Sequence, residues 1–349
     1  MKVLLEVLEK VVGFMKSVFI TGVAGFLGSH LAKRMHELGW TVSGNDNFLG
    51  ADKENIHSFV KFYEADCCDL TAMSKAINGS DLLFHCAAAA HEGLSVFSPT
   101  FITKNNYEAS VATFTAGINA RVKRIVFCSS MARYGDQDAP FTEVMRPTPV
   151  DPYGIAKVAA EETLKVLAQV HEFEWNIAVP HNIVGEGQKY DDPYRNVMSI
   201  MLNRNLQGLP SIIYGDGEQT RCFSYIEDCI DCLVQMGIDP KINEETINIG
   251  PDEEIITIND LASLCANETG LNRQPIYHLG GRPQEVKHAT CSSEKARKLL
   301  NYRTKTTVAE AVKKTADFIR KSGIKNFTYH IPLEIINQKT PQAWTEKSI

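Results

Sequence analysis

Three features that would each indicate a different class of protein are missing from the sequence. No stretch approaches the roughly 20 apolar residues of a membrane-spanning helix, so we expect no membrane partner. No run of Lys or Arg occurs and the formal net charge is −6, which argues against a nucleic-acid partner. The nine cysteines include one Cys-x-x-Cys pair, Cys229 and Cys232, without a second Cys or His pair nearby. We therefore predict no metal site, and buried thiols in a reducing, cytoplasmic compartment.

What the chain does contain is typical of a globular protein with an α/β fold. Of its 349 residues, 44% are hydrophobic and 22% are charged. Short apolar segments that read as strands alternate with amphipathic segments that read as helices. This alternation predicts a doubly wound parallel sheet, and a less regular pattern from about residue 182 predicts a smaller, mixed α/β lobe.

The stretch from 17 to 28 is the most informative part of the chain. An apolar strand is followed by Gly22, Gly25 and Gly28 at a spacing of three, and an amphipathic run begins at once. Glycine lets the backbone approach a ligand closely, and the N–H groups at a helix N-terminus favour a pyrophosphate. The turn therefore predicts a dinucleotide site, although a strand-to-helix turn without a ligand gives the same pattern.

Two further positions suit a dinucleotide at the carboxyl ends of parallel strands. Asp46 ends the second predicted strand, near where such folds place a carboxylate that binds ribose hydroxyls. Because a carboxylate would repel a 2′-phosphate, Asp46 favours NAD over NADP. Ala87 and Ala88 follow the fourth strand, where small side chains would let a flat ring lie close to the backbone. A helix start is the alternative for these alanines.

Tyr153 and Lys157 stand four positions apart at the start of a predicted helix, which places both side chains on one face. The ammonium of Lys157 would stabilise a Tyr153 phenolate and lower the pKa of Tyr153 from its usual value of about 10. A phenol with a lowered pKa can act as a general base. The same spacing also arises in helices that have no catalytic role.

These motifs follow one another in a characteristic order: the glycine-rich turn, Asp46, Ser129-Ser130 after the fifth strand, and Tyr-x-x-x-Lys at 153–157. In that order, and over about 16–302, the chain resembles the extended short-chain dehydrogenase/reductase family. Within it, the chain is similar to the NAD-dependent nucleotide-sugar epimerases and dehydratases. The resemblance implies a Rossmann-like domain, bound NAD and a nucleotide-diphosphate sugar as substrate.

The resemblance also implies roles for individual positions. Ser130, Tyr153 and Lys157 match the catalytic triad, in which Ser130 holds a sugar hydroxyl and Lys157 also binds the nicotinamide ribose, and Asn106 matches a residue that supports the site. With the positions inferred above, the candidate cofactor-binding residues are Gly22, Gly25, Phe26, Leu27, Gly28, Asp46, Asn47, Asp66, Cys67, Ala87, Ala88, Lys157 and Pro180. The candidate substrate-binding residues are Ser130, Asn182, Arg221, Arg282 and Glu285, with His91, Glu92 and Arg195 as additional candidates.

A departure from the family pattern bears on the reaction. The 4,6-dehydratases carry an Asp-Glu pair directly after the residue equivalent to Ser130, and this chain has Met131 and Ala132 there. Loss of that acid and base disfavours dehydration, and also decarboxylation, since the decarboxylases keep a glutamate at this place. The resemblance therefore implies a nucleotide-sugar 4-epimerase that works through a 4-keto intermediate. A 4-ketosugar reductase, a sugar-nucleotide dehydrogenase and a non-catalytic dinucleotide sensor are the alternatives.

The sequence divides into four expected segments. We predict an N-terminal extension at 1–15, an NAD-binding domain at 16–181, a nucleotide-sugar-binding lobe at 182–322 with excursions back to the sheet, and a C-terminal tail at 323–349. Charged residues interrupt the extension, so we interpret it as a surface or dimer-packing helix rather than a signal peptide, unless the chain starts at Met15. The long helices predicted at 101–121 and 153–170 imply, by the family resemblance, a homodimer.

Overall fold

Apolar strands and amphipathic helices alternate through the chain and build one large sheet with helices on both faces. The computed structural model describes residues 17–278 and 281–349, so the predicted extension at 1–15 lies outside the described residues. Among the described helices, none combines the length and apolar character that crossing a membrane requires.

The bounds of the elements are as follows. The strands are β1 Ser17–Thr21, β2 Thr41–Asp46, β3 Lys61–Glu64, β4 Leu82–His85, β5 Arg124–Cys128, β6 Glu174–Pro180, β7 Ile183–Val184, β8 Ile212–Tyr214, β9 Thr220–Arg221, β10 Ser224–Tyr225, β11 Glu245–Ile249, β12 Ile256–Thr257, β13 Ile276–His278 and β14 His288–Ala289. The helices are α1 Phe26–Glu37, α2 Leu70–Ile77, α3 Pro99–Thr103, α4 Ala109–Asn119, α5 Pro152–His171, α6 Val197–Leu206, α7 Ile226–Ile238, α8 Ile258–Thr269, α9 Glu294–Leu300, α10 Val308–Ser322 and α11 Gln342–Thr345. A π-helical turn, Lys104–Glu108, joins α3 to α4.

Seven parallel strands form the main sheet in the order β11-β6-β5-β4-β1-β2-β3. Val18, Phe19 and Ile20 of β1 are completely buried, because helices cover both faces of the sheet. The direction of strand addition reverses between β1 and β4. Such a switch point leaves a crevice at the carboxyl ends of the strands, where open α/β sheets bind their ligands. The doubly wound, Rossmann-like sheet predicted from the sequence is confirmed.

The smaller lobe is built from short strands and the helices that follow β6. A three-stranded sheet has the order β12-β9-β14, with one antiparallel and one parallel pairing, and β13 pairs with β8. β11 returns to the main sheet and pairs with β6, so the lobe is not a separate unit along the chain. The lobe thus combines helices with short strands, and β11 extends the main sheet.

Candidate active site

A cavity of about 440 Å³ lies at the switch point, between the strand ends and the smaller lobe. Its walls contain every residue that the sequence predicts to bind the cofactor, from Gly22 to Pro180, and also Ser130 and Tyr153. The predicted substrate residues Asn182, Glu92, Arg195, Arg221, Arg282 and Glu285 line it as well. His91 is the exception: it is fully buried outside the cavity. Residues separated by up to 263 positions, from Gly22 to Glu285, thus meet at one place.

The glycine-rich turn leaves no room for side chains. Gly22 has a left-handed backbone with φ of 68°, and a Cβ there would lie 3.0 Å from the backbone of Ala87. A Cβ on Gly28 would lie 2.1 Å from the carbonyl oxygen of Gly22, because the first turn of α1 packs directly on the preceding loop. Gly25 forms the N-cap of α1 in an extended conformation. The backbone at the helix N-terminus is therefore exposed to the cavity, as anion binding requires.

Asp46 links the end of β2 to the glycine-rich turn. Its Oδ2 accepts a hydrogen bond from the N–H of Ala24 at 3.2 Å, and its Oδ1 accepts one from the N–H of Phe48 at 2.8 Å. Burial raises the pKa of Asp46, and these backbone bonds oppose the rise. The carboxylate consequently holds the turn in place in addition to facing the cavity, a role that the sequence analysis did not foresee.

The three predicted catalytic side chains converge on one wall of the cavity. Asp151 caps α5 by accepting from the N–H of Gly154 at 2.9 Å, which places Tyr153 in the first turn of the helix. Lys157 lies one turn later, with Nζ 5.8 Å from the centre of the Tyr153 ring and 2.8 Å from the carbonyl oxygen of Cys128, to which it donates. Ser130 hydrogen-bonds Tyr153.

The pKa of Tyr153 differs from the sequence-based expectation. Burial raises the pKa of the phenol above its ordinary value, the carboxylates of Glu92 and Asp151 add to the rise, and the bond from Ser130 opposes it. Burial also lowers the pKa of Lys157 to about 8. Lys157 is not among the groups that most affect the pKa of Tyr153, and its ammonium donates to the Cys128 carbonyl.

Asn106 supports the site through the backbone. It lies in the π-helical turn between α3 and α4, and its Nδ2 donates to the carbonyl oxygens of Ala89 at 3.2 Å and Ile102 at 2.9 Å. Ala89 belongs to the segment after β4 that lines the cavity. Asn106 therefore fixes the cavity wall, in agreement with the role that the resemblance implies.

Two buried polar networks beneath the site carry no recognisable sequence signal. In one, Glu161 of α5 accepts from Ser129 and pairs with Arg133, whose Nη2 lies 2.9 Å from Oε2. Glu161 is fully buried, and Arg133 is 3% exposed. The pair attaches α5 to the turn that begins at Ser130, and so fixes the distance between Ser130 and Tyr153.

The second network runs behind the cofactor wall. The hydroxyl oxygen of Thr21 accepts from the N–H groups of Cys86 and Ala87, so its hydrogen is directed to Nδ1 of His85 at 2.8 Å. His85 Nε2 in turn donates to Ser110 Oγ at 2.9 Å, since Ser110 itself donates to a backbone carbonyl. Burial lowers the pKa of His85 to about 3, so the ring stays neutral. The network ties β1 to β4 at the switch point.

The two predicted diphosphate-binding arginines lie together on the smaller lobe. Glu285 bridges them, with Oε1 2.6 Å from Arg282 Nη2 and 3.8 Å from Arg221 Nη2. Arg221 also donates to the carbonyl oxygens of Thr220 and Val286, each at 2.8 Å. The guanidinium groups are therefore oriented by the protein before any ligand binds, and paired guanidiniums suit a diphosphate.

The chain is similar to known proteins over most of its length. Residues 18–250 match the model of the NAD dependent epimerase/dehydratase family. The chain belongs to this family. A UDP-glucose 4-epimerase from Mycolicibacterium smegmatis is 30% identical over 315 residues, which are 87% of this chain and 98% of that protein. A UDP-N-acetyl-alpha-D-glucosaminuronate decarboxylase from Bacillus cytotoxicus is 31% identical over 252 residues, which are 68% of this chain and 76% of that protein.

A solved structure shows the same architecture. UDP-glucose 4-epimerase from Thermotoga maritima, determined with UDP-glucose, is 30% identical and superposes with a TM-score of 0.82, covering 88% of this chain and 99% of that chain. The resemblance to the extended short-chain dehydrogenase/reductases, and to their epimerase branch, is confirmed. The protein is an NAD-dependent enzyme of this family.

The residues at the glycine-rich turn fit NAD. Gly25, Phe26, Leu27 and Gly28 at the start of α1 line the cavity, and the space that a Cβ on Gly22 or Gly28 would fill is taken up by closely packed backbone. Asp46 and Asn47 line the same wall at the end of β2, and Asn47 Nδ2 lies 3.4 Å from Asp66 Oδ2 on the neighbouring strand end. These groups would hold the adenosine half of the cofactor, and Lys157 the nicotinamide ribose.

His91 forms part of a separate buried cluster. Its Nε2 lies 2.8 Å from Asp192 Oδ2, and His330 Nε2 approaches the same oxygen at 3.8 Å. Potential metal-ligand atoms of these three residues lie within 4.8 Å of one another. Arg195 Nε also lies 3.8 Å from this oxygen, so a guanidinium already compensates the charge of the carboxylate. His91 consequently positions Asp192, and through it Arg195, instead of contacting the cavity as the sequence suggested.

Replacing Gly28 by Ala should strongly weaken NAD binding. The added Cβ would meet the Gly22 carbonyl oxygen at 2.1 Å, so the pyrophosphate turn would have to open. We expect the affinity for NAD, measured by titration calorimetry, to fall by about 100-fold or more. Gly79→Ala is the control for backbone strain, because its φ of 84° makes alanine unfavourable there while a Cβ meets nothing within 4 Å and the residue is outside the cavity. Equal NAD affinity in Gly28→Ala and the wild type would contradict this account of the turn.

Proposed function

We propose that the protein is a 4-epimerase of UDP-sugars. The observation that carries the proposal is the wall formed by Ser130, Tyr153 and Lys157, directly followed in the chain by Met131 and Ala132, which offer no acid or base. The UDP-sugar 4-epimerases among the similar proteins support this choice of reaction and nucleotide. The arginine pair of the smaller lobe supports a diphosphate-linked substrate.

Each catalytic side chain has a definable task in such a reaction. Tyr153 removes the proton from the 4-hydroxyl of the sugar and returns it at the end, while Ser130 hydrogen-bonds that hydroxyl and keeps the 4-keto sugar in place. Lys157 anchors the site through its bond to the Cys128 carbonyl and would bind the cofactor ribose. NAD, when bound, supplies the acceptor that takes a hydride from the sugar and gives it back.

The residues of this wall disfavour dehydration and decarboxylation. The turn Met131–Tyr134 contains no carboxylate, and Ala132 packs against Tyr153 where the dehydratases and decarboxylases place an acidic residue. The similarity to a decarboxylase over two thirds of the chain therefore reflects shared architecture. A 4-ketosugar reductase or sugar dehydrogenase would use the same three residues, and would consume reduced or oxidised cofactor in step with the sugar.

Tyr153→Phe should remove most of the activity and leave NAD binding intact. Loss of a positioned general base costs about 10²- to 10⁴-fold in kcat. Conversion of UDP-glucose and UDP-galactose would be followed by chromatography, and NAD retention by mass analysis. Tyr63→Phe, on β3 and outside the cavity, is the control.

Two results would speak against the epimerase. Undiminished turnover in Tyr153→Phe would exclude the phenol as the base. Stoichiometric change in the absorbance of the reduced cofactor during wild-type turnover would indicate the reductase or dehydrogenase instead.

Glu92 should make substrate binding depend on pH. Glu92 is an exposed residue that lines the cavity beside the arginine pair, where partial loss of solvation and then the carboxylate of Asp151 raise its pKa to about 7. A carboxyl with a raised pKa is neutral below that pH and negative above it, where it would repel an anionic substrate and compete for Arg221 and Arg282. We expect the KM for the UDP-sugar to rise by about three- to tenfold between about pH 6 and pH 8. Glu92→Gln should flatten this profile, and an unchanged slope in the variant would exclude Glu92 as its source.

We also propose that the protein is a cytoplasmic homodimer that buries α5 at its interface. Ile155, Val166 and Val170 are 55%, 60% and 66% exposed, and their spacing places them along one face of the helix. Such an apolar stripe on a surface helix is typical of a protein interface. The free thiols of all nine cysteines fit a reducing compartment.

Val166→Glu should convert the dimer to a monomer, because a carboxylate would be buried without a partner in an apolar interface. Sedimentation equilibrium would give the mass of the wild type and the variant at equal concentration. Val144→Glu, on a loop residue that is 94% exposed, is the control. A wild-type mass equal to one chain, or a dimeric Val166→Glu, would contradict this interface.

A further inference from the structure

The segment 323–349, here called the C-terminal strap, joins the two halves of the molecule. Lys325 Nζ lies 3.1 Å from Asp52 on the loop after β2, while the Lys325 carbonyl accepts from Asn203 of α6 at 2.8 Å. Farther along, the N–H of Glu334 donates to the carbonyl oxygen of Phe97 at 2.9 Å. The strap lies beyond residues 18–250, which match the family model. It contacts both the nucleotide-binding half and the smaller lobe.

Trp344 is the apolar anchor of the strap. It is 2% exposed, and its indole makes edge-to-face contacts with three rings of the body. Ring centroids lie 5.2 Å from Tyr194, 5.8 Å from Phe97 and 6.3 Å from Tyr214. Edge-to-face pairs of this kind each contribute energy beyond the area they bury, and they fix the relative orientation of the rings.

Two of these rings form the wall of the active-site cavity. Tyr194 and Tyr214 line the cavity, and the strap itself contributes Ile349 to the lining. The guanidinium carbon of Arg282 lies 5.1 Å from the centre of the Tyr214 ring, within cation–π range. Arg195, the next residue after Tyr194, also lines the cavity. Trp344 therefore packs against Tyr214, which contacts Arg282, and against Tyr194, which precedes Arg195 in the chain.

We propose that Trp344 is a positioning residue for the nucleotide-sugar site, which acts by holding Tyr214 beneath Arg282 and Tyr194 beside Arg195. Without the indole, an empty cavity would lie behind the rings of Tyr194 and Tyr214. The Tyr214 ring, which contacts the Arg282 guanidinium, would then no longer be held in one orientation. The strap is then part of the substrate site although it contains none of the family motifs. This proposal rests on the proposed function, since it takes a UDP-sugar as the ligand of Arg282.

Titration calorimetry of NAD-loaded protein with UDP tests the proposal. UDP carries the diphosphate without the sugar, so its affinity reports on the arginine pair independently of turnover. In Trp344→Ala we expect UDP to bind about tenfold more weakly, with NAD affinity unchanged. Trp344→Phe should restore most of the UDP affinity, because a ring edge remains. Trp175→Ala is the control for general destabilisation, since Trp175 lies near the start of β6, away from the strand ends that form the cavity.

The outcomes separate this proposal from the proposed function. Wild-type affinity for UDP in a folded Trp344→Ala, or an equal loss in Trp175→Ala, would overturn the positioning role. Wild-type protein that binds UDP but interconverts no UDP-sugar would overturn the proposed function alone. Wild-type protein that binds no UDP would overturn both.

A second variant tests the positioning role of Trp344 if Trp344→Ala does not fold. Glu334 is exposed, and its carboxylate accepts from the N–H groups of Thr100 and Phe101, each at 2.9 Å, so it attaches the strap to α3. Glu334→Ala loosens the strap without opening a hole in the core. UDP binding weakened by about threefold or more would support the proposal, and unchanged binding would overturn it.

Discussion

The close approach of Gly28 to the carbonyl oxygen of Gly22 is the constraint on which the site depends. It sets the start of α1 directly on the end of β1, and so places the first turn of the helix at the wall of the cavity. Asp46 reinforces the arrangement by binding the N–H of Ala24 from the neighbouring strand. A side chain at Gly22 or Gly28 would push α1 away from β1. The predicted anion site therefore depends on the close packing of the first βαβ unit.

The wall formed by Ser130, Tyr153 and Lys157 depends on polar contacts that lie beneath it. Glu161 binds Arg133 and Ser129 at full burial, which holds α5 at a set distance from the turn after β5. A buried ion pair contributes little net stability when both partners are present, but removal of one partner leaves an uncompensated charge. We interpret the pair of Glu161 and Arg133 as holding Tyr153, on α5, at a defined distance from Ser130, on the turn after β5.

Burial and the neighbouring carboxylates act in the same direction on Tyr153. The cavity withdraws the phenol from solvent and places the carboxylates of Glu92 and Asp151 near it, and both effects favour the neutral form. Lys157, which the helical spacing brings to the same face, directs its ammonium to the Cys128 carbonyl. The protein groups around Tyr153 thus favour its neutral form.

The sequence by itself determined the doubly wound sheet, the glycine-rich turn and the Tyr153–Lys157 pair, because periodicity, glycine spacing and helical geometry are local properties of the chain. It also located the arginine pair through its likeness to a family. Only the tertiary structure decided that His91 is buried outside the cavity and that Glu161 lies beneath the wall that contains Ser130 and Tyr153. It also decided that the C-terminal strap folds back, so that Trp344 packs against Phe97, Tyr194 and Tyr214. Those contacts join residues far apart in the chain, and their energy comes from burial and packing, which no local pattern records.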